Sequence, residues 1–332
     1  MKDPALSQTS PAAPLVAIVG PTASGKSALG VYLAGQLGGE VVASDSTQVY
    51  RYFNIGTAKP APPEQGSVAH HLIDLLEPQE LFTAGEYRRR AIEILEDLRR
   101  RERLPILTVG TGLYLRALLE GLADAPVRSE ELRARLSRRA ERRGPAYLHR
   151  ILERLDPAAA RRIAPRDRQK LVRAIEICLL AGKPITEVHR AGRARLEGFT
   201  ALKVGLNPPR AALYQRIERR VQTMLERGWL EEVRELVARG IPATAKPFEF
   251  IGYRELREHL AGRLGLPEAV QAIQQATRRY AKRQLTWFRK EPGVRWFAGF
   301  GDELEIAESV FRYLDGQLAA RWPARARMAE GV

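Results

Sequence analysis

The chain has 332 residues, a length that suggests two domains, with 45% hydrophobic and 28% charged residues. That is ordinary globular composition, which excludes wholesale disorder and collagen-like or coiled-coil fibres. The net charge of +15 is uneven: residues 1–124 carry 12 Lys and Arg against 14 Asp and Glu, 125–205 carry 20 against 9, and 206–332 carry 22 against 16.

Residues 1–14 are polar and Pro-rich and lack the apolar core of a signal peptide, so a floppy tail on a cytoplasmic protein is expected. Leu15–Val19 is wholly apolar, as in a strand buried on both faces of a parallel sheet. Gly20–Ser27 (GPTASGKS) follows at once, and Ala28–Leu37 then has helical spacing. Glu40–Ala43 reads as a second strand, running into Ser44-Asp45-Ser46. Residues 54–79, rich in proline, read as loop. Ala84–Arg103 reads as an amphipathic helix, Leu104–Val109 as a third strand, and Gly110-Thr111-Gly112 opens a helix through Leu119. From Pro126 to Lys203 no strand is apparent, and three Arg-rich helices are predicted: Glu130–Arg143, Ala146–Leu155 and Arg168–Ala181. A strand returns at Ala201–Leu206, helices follow at Arg210–Arg227, Leu230–Arg239 and Glu268–Lys290, and a last strand is predicted at Arg295–Phe297.

Strands alternating with helices imply an α/β fold: a P-loop NTPase-like parallel sheet with flanking helices, plus an all-helical insertion. The expected division is a tail at 1–14, an α/β core at 15–125 and 204–300, a basic helical insertion at 126–203, and a C-terminal helix and tail at 301–332. No stretch has the ~20 consecutive apolar residues of a membrane-spanning helix. The single cysteine, Cys178, excludes a disulfide framework and a cysteine-rich zinc site, and its apolar helix makes it a core residue. His70 and His71 are adjacent, so a helix or strand would not turn both to one metal; they read as structural loop residues.

GPTASGKS fits G-x-x-x-x-G-K-[ST] between a predicted strand and a predicted helix. Such a loop points backbone N–H groups at a phosphate, the helix dipole adds positive potential, Lys26 reaches the outer phosphate oxygens, and Ser27 can ligate Mg2+. The motif points to a diphosphate or triphosphate and does not say whether it belongs to a nucleotide. The usual second magnesium anchor, an acid ending another strand, is missing after Leu104–Val109; the acid-terminated strand is the second, at Asp45. That strand is expected beside the P-loop strand, with Asp45 at the carboxyl edge where ligands bind. There Asp45 could hold metal through water, act as a general base, or cap a helix. The basic middle of the chain suits a polyanion: a high-GC genome would explain arginine over lysine on solvated helices, but not the excess over acids.

Taken in order, GPTASGKS, SDSTQVYR with NIGTAKP, HHLID, GTGLYLRALLEGL, RDRQKLVRAIE, YQRIERRV, FIGYRE and AKRQLTWFRK resemble the bacterial tRNA dimethylallyltransferases, over residues 15–297. The resemblance implies transfer of the dimethylallyl group from dimethylallyl diphosphate to N6 of adenosine 37, beside the anticodon, in tRNAs reading codons that begin with U. The products are N6-(dimethylallyl)adenosine and diphosphate. Mg2+ is the implied cofactor, dimethylallyl diphosphate and the tRNA anticodon stem-loop the partners, and a monomer is expected.

Carried over residue by residue, Asp45 matches the general base and Thr111 the threonine beside the diphosphate and the reacting amine. Gly20, Pro21, Thr22, Ala23, Ser24, Gly25, Lys26 and Ser27 match the diphosphate site, with Ser27 on the metal. Arg220 matches an arginine on the diphosphate, although alone it reads as part of a solvated helix face. The tRNA-contacting positions match Asp45, Ser46, Thr47 and Gln48; Arg133; Gln169, Lys170, Leu171, Val172 and Arg173; Glu249, Phe250, Ile251, Gly252, Tyr253 and Arg254; and Lys282, Arg283, Gln284, Leu285, Thr286, Trp287, Phe288 and Arg289. The sequence departs from the family at Val109, where a glycine is usual, at Glu249, often basic or polar, and at Lys170, commonly arginine. Two other readings stay open: a P-loop kinase, which the missing strand-end acid and the basic insertion disfavour, and a non-catalytic RNA-binding NTPase.

Overall fold

The computed structural model describes residues 12–144, 146–190 and 192–319. The first elements are β1 (Ala13–Val19), α1 (Lys26–Leu37), β2 (Gly39–Ser44), α2 (Pro62–Gln65), β3 (His70–His71), α3 (Ala84–Arg100), β4 (Leu104–Val109) and α4 (Gly112–Glu120). Five helices follow without a strand: α5 (Glu130–Arg143), α6 (Ala146–Leu155), α7 (Pro157–Ala160), α8 (Arg168–Ala181) and α9 (Ile185–Arg190). The chain then continues as β5 (Phe199–Leu206), α10 (Arg210–Glu226), α11 (Trp229–Ala238), α12 (Tyr253–Leu260), α13 (Leu266–Phe288), β6 (Val294–Phe297) and α14 (Leu304–Ala319). Glu120–Leu196 is one compact unit, and the segments through Leu119 and from Glu197 together make the other. Among the described residues no helix is long and apolar enough to cross a membrane.

The larger unit is built on a six-stranded, all-parallel sheet in the order β3-β2-β4-β1-β5-β6. Leu15 to Val19 are inaccessible to solvent, which is why β1 is apolar without alternation. One side of the sheet packs on α1 and α14 through Leu29, Leu33, Val310 and Leu314. Parallel strands all end on the same edge, so the segments after Val19, Ser44 and Val109 emerge together.

Four sequence expectations change. The N-terminal tail is shorter than 14 residues, because Ala13 and Pro14 pair with Phe199 and Thr200; the rest of that tail, and the C-terminal one from Ala320, lie outside the described residues. The helical unit is displaced toward the N-terminus from the expected 126–203, since the same pairing draws Phe199 to Lys203 into the sheet. The loop at 54–79 contains α2 and β3, with His70 and His71 paired to Val41 and Val42. Finally, β2 does not neighbour β1: β4 lies between them.

The helical unit has its own core, including Leu136, Leu148, Leu152, Leu171, Ile175 and Cys178. Helices α5, α7 and α8 start at side-chain caps: Ser129 accepts from the Leu132 N–H, Asp156 from Ala159 and Asp167 from Lys170. Its two ends meet. A Cβ on Gly121, at φ +80°, would lie 2.2 Å from the Ala194 carbonyl oxygen, and Arg193 reaches Glu120 at 3.6 Å.

Candidate active site

The three strand ends give the site its layout, with β4 in the middle. After β1, the loop Gly20–Gly25 turns into α1. Lys26, at the head of that helix, curls back so that its Nζ donates to the Gly20 carbonyl at 3.0 Å and the Pro21 carbonyl at 2.7 Å. Burial pushes the Lys26 ammonium down to about 7; nearby Asp45 opposes the shift and Arg220 adds to it. Ser27 is exposed on the first turn of α1. Ala23 has φ +62°, a left-handed conformation unusual for a side chain with a Cβ, as occurs where a loop is shaped for binding.

After β2, Asp45 forms a turn of its own and caps no helix. Its Oδ1 accepts from the Thr47 N–H at 2.8 Å and from the Thr47 hydroxyl at 2.6 Å. Those bonds fix the carboxylate and leave Oδ2 directed at Gly110, where a Cβ would come within 2.0 Å of it. Position 110 therefore has to be glycine for the carboxylate to sit there. After β4, the N–H groups of Gly110 and Thr111 both donate to the Ser44 carbonyl, at 3.1 and 3.0 Å. The Thr111 hydroxyl donates to the Ser46 hydroxyl and accepts from the Ser46 N–H, both at 3.2 Å.

Helices α10 and α13 close the site. Arg220 is half-buried on α10, and among the described residues it forms no ion pair; burial, and Arg216 one turn away, lower its guanidinium, while Glu64 and Asp45 oppose this. Arg216 is neutralised by Asp302 at 2.5 Å. On α13, Tyr280 and Gln284 both donate to the Gly110 carbonyl, at 3.1 and 2.8 Å. Among the described residues no group of three His, Cys, Asp or Glu could hold a metal; any metal would depend on Ser27 and on ligand oxygens.

The positions expected to touch RNA divide by burial. On α13 and at Arg289 just after it, Lys282, Arg283, Thr286 and Arg289 are exposed, whereas Phe288 and Gln284 are buried and Leu285 is half-buried. Trp287 is half-buried under the Arg116 guanidinium, 4.5 Å from its ring centroid. In the helical unit Gln169 and Lys170 are exposed, but Leu171 and Val172 belong to the core. Near α12, Glu249 and Arg254 are exposed, Phe250 and Ile251 are half-buried, and Gly252 and Tyr253 are buried. The side chains of Leu171, Val172, Tyr253, Gln284 and Phe288 thus serve packing or hydrogen bonding inside the protein.

Arg133 and Arg173 have an internal partner. Both bind the Glu176 carboxylate, at 3.1 and 2.8 Å, and Glu176 is inaccessible to solvent. Its other oxygen accepts from the Ser129 N–H at 2.7 Å, and Arg173 also donates to the Pro126 carbonyl. Sequence reasoning missed the roles of Tyr280 and of Gln284; the only local sign was a polar residue on the buried face of an amphipathic helix. His71 has a partner: its Nε2 meets Glu40 at 2.7 Å, and Arg101 holds the same carboxylate.

The sequence pattern of one family, IPP transferase, matches residues 48–291. A tRNA dimethylallyltransferase from Koribacter versatilis (strain Ellin345) is 54% identical over 300 residues, which cover 90% of this chain and 97% of that relative. One from Solibacter usitatus (strain Ellin6076) is 50% identical over 297 residues, covering 90% and 96%. Among solved structures, the full-length tRNA isopentenylpyrophosphate transferase of Bacillus halodurans superimposes with a TM-score of 0.67 at 36% identity, covering 95% of this chain and 99% of that one. A eukaryotic dimethylallyltransferase solved while acting on tRNA gives a TM-score of 0.79 at 26% identity, covering 94% and 80%.

Proposed function

The chain belongs to the IPP transferase family, and from that premise we propose that it transfers the dimethylallyl group of dimethylallyl diphosphate to N6 of adenosine 37 in tRNA. The observation that carries this reading is the electrostatic grouping of Asp45 with Lys26 and Arg220, two cations without carboxylate partners among the described residues, at one edge of the sheet.

The diphosphate binds the P-loop. As the allylic carbon–oxygen bond breaks, negative charge grows on the leaving diphosphate and positive charge on the allylic carbon. Lys26, Arg220 and the N-terminus of α1 stabilise the leaving group, and donors aimed at developing charge are worth about 100- to 1000-fold each. Ser27, a hard oxygen donor on the first turn of α1, fits a magnesium ion held otherwise by diphosphate oxygens and water, which would neutralise the same charge.

The acceptor needs different help, because the adenine N6 lone pair is delocalised into the ring. Asp45 Oδ2 takes the proton that N6 loses as the new carbon–nitrogen bond forms, while Thr47 holds Oδ1. Thr111 stands just after β4, between the P-loop and Asp45, which suits contact with both substrates. The target base must leave its stack to reach this edge. Lys282, Arg283 and Thr286 on α13, Arg289 just after it, Arg254 on α12, and Gln169 and Lys170 in the helical unit are the exposed positions we assign to tRNA.

The deciding experiment incubates the protein with dimethylallyl diphosphate, Mg2+ and unmodified tRNA, followed by nucleoside mass spectrometry. Formation of N6-(dimethylallyl)adenosine at position 37 is expected. Transfer of the terminal phosphate of ATP to an acceptor, or RNA-stimulated ATP hydrolysis with unmodified RNA, would overturn it.

A further inference from the structure

Gln284 lies in the segment expected to touch tRNA, yet its side chain is 6% exposed and both ends of its amide are engaged inside the protein. Its Oε1 accepts from the Thr22 N–H at 2.7 Å, and its Nε2 donates to the Gly110 carbonyl at 2.8 Å. Thr22 lies in the loop after β1, and Gly110 immediately after β4. From Gly110 the connection continues, because the Gly110 and Thr111 N–H groups hold the Ser44 carbonyl, one residue before Asp45. A path of hydrogen bonds and backbone links therefore runs from the P-loop through Gln284 and Gly110 to Thr111 and to Ser44, which is bonded to Asp45. Tyr280, one turn earlier on α13, adds a second donor to the same Gly110 carbonyl.

Neutral, planar and bifunctional, the amide is suited to this place. A carboxylate would keep the acceptor for Thr22 and lose the donor for Gly110, and a thioether would lose both. Both partners are backbone groups: the Thr22 N–H has Gln284 as its acceptor, and the Gly110 carbonyl shares Gln284 with Tyr280. We propose that Gln284 is a positioning residue that sets the spacing between the loop carrying the donor's diphosphate and the Thr111–Asp45 pair that handles the acceptor amine. This rests on the reading in Proposed function. It concerns geometry rather than affinity: each substrate binds its own half of the site, and the rate depends on how the halves are held together.

The test is Gln284→Met in the full chain, measured as single-turnover transfer with both substrates saturating. The transfer rate is expected to fall ~10- to 100-fold, the loss typical of a reacting group misplaced by about 1 Å. Affinities for dimethylallyl diphosphate and tRNA should stay within about threefold, with an unchanged salt dependence of tRNA binding. Tyr280→Phe, which removes one of two hydrogen bonds to the same carbonyl, should lower the same rate several-fold. It also carries the test if Gln284→Met does not fold. An unchanged rate, or a loss confined to tRNA affinity with a shallower salt dependence, would overturn the proposal. Hydrogen exchange at the Thr22 amide without substrates separates it from the reading it rests on. The amide should be protected in the wild type and exchange faster in Gln284→Met; equal exchange sinks the brace whatever the enzyme transfers.

Discussion

Arg220 on α10, and Arg133 and Arg173 in the helical unit, look alike in sequence: each is an arginine in a charged helical stretch. In the structure they are opposites. Arg220 is half-buried without an ion pair among the described residues, electrostatically coupled to Lys26 and Asp45, and so available to a diphosphate. Arg133 and Arg173 are committed to Glu176, a carboxylate with no access to water. The fold has given Arg133 and Arg173 a carboxylate that water does not reach and has left Arg220 without one among the described residues, and no local spacing reports that difference.

The largest expected effect lies on the catalytic side of this contrast. Asp45→Asn keeps the shape and removes the proton acceptor, and should lower the single-turnover transfer rate ~100- to 10,000-fold with little change in donor affinity. Rescue of that variant by added Mg2+ would instead make Asp45 a metal ligand. Next come the unpaired cations: Lys26→Ala and Arg220→Ala should each lower kcat/KM ~100- to 1000-fold with the donor as varied substrate. If Arg220→Ala were silent, the distinction drawn between the arginines would collapse.

On the structural side, Arg133→Ala leaves Glu176 short of a partner. Breaking a buried pair typically destabilises by ~3–5 kcal/mol, and one remaining arginine should keep the loss toward the low end of that range. Thermal unfolding should therefore report Arg133→Ala, while the salt slope of tRNA binding stays put. A reduced slope in a stably folded variant would return Arg133 to the RNA. Exposed Lys282, Arg283 and Arg289 should behave in the reverse way: neutralising each leaves melting unchanged and flattens the slope by ~0.7–0.9 per lost phosphate contact.

The smallest effect is a pH dependence. A Lys26 ammonium lowered to about 7 is charged below that pH and increasingly neutral above it, so donor affinity should weaken as pH rises through 7. Because the bound diphosphate restores the proton, binding above pH 7 should take up protons, which calorimetry in buffers of different ionisation enthalpy measures. No proton uptake would show Lys26 fully charged in the free enzyme.

The strand–loop–helix around Gly20–Ser27 was legible because its signals are local: an apolar run, a phosphate-binding spacing and a helical period in direct succession. Asp45 was legible as an acid at a strand end. That β4 separates β1 from β2 was not, since the order of parallel strands is set by how crossover helices pack on the sheet. The two-residue β3 is too short for any alternation to show. Thr111 came from family resemblance; its place between P-loop and carboxylate follows from the strand order. Gln284 and Glu176 were misread or passed over because a polar residue on a helix shows its partners only after tertiary packing.

The contact between Gly121 and Ala194 bears on heredity as well as architecture. The chain enters and leaves the helical unit through one narrow gap, while β1 and β5 pair in register without any residue from within it. A gene lacking the stretch from 122 to 193, closed by a glycine or two, still encodes every strand of the sheet and every P-loop residue. The unit is thus a cassette: a lineage could trade it for another while the sheet and every P-loop residue stay as they are.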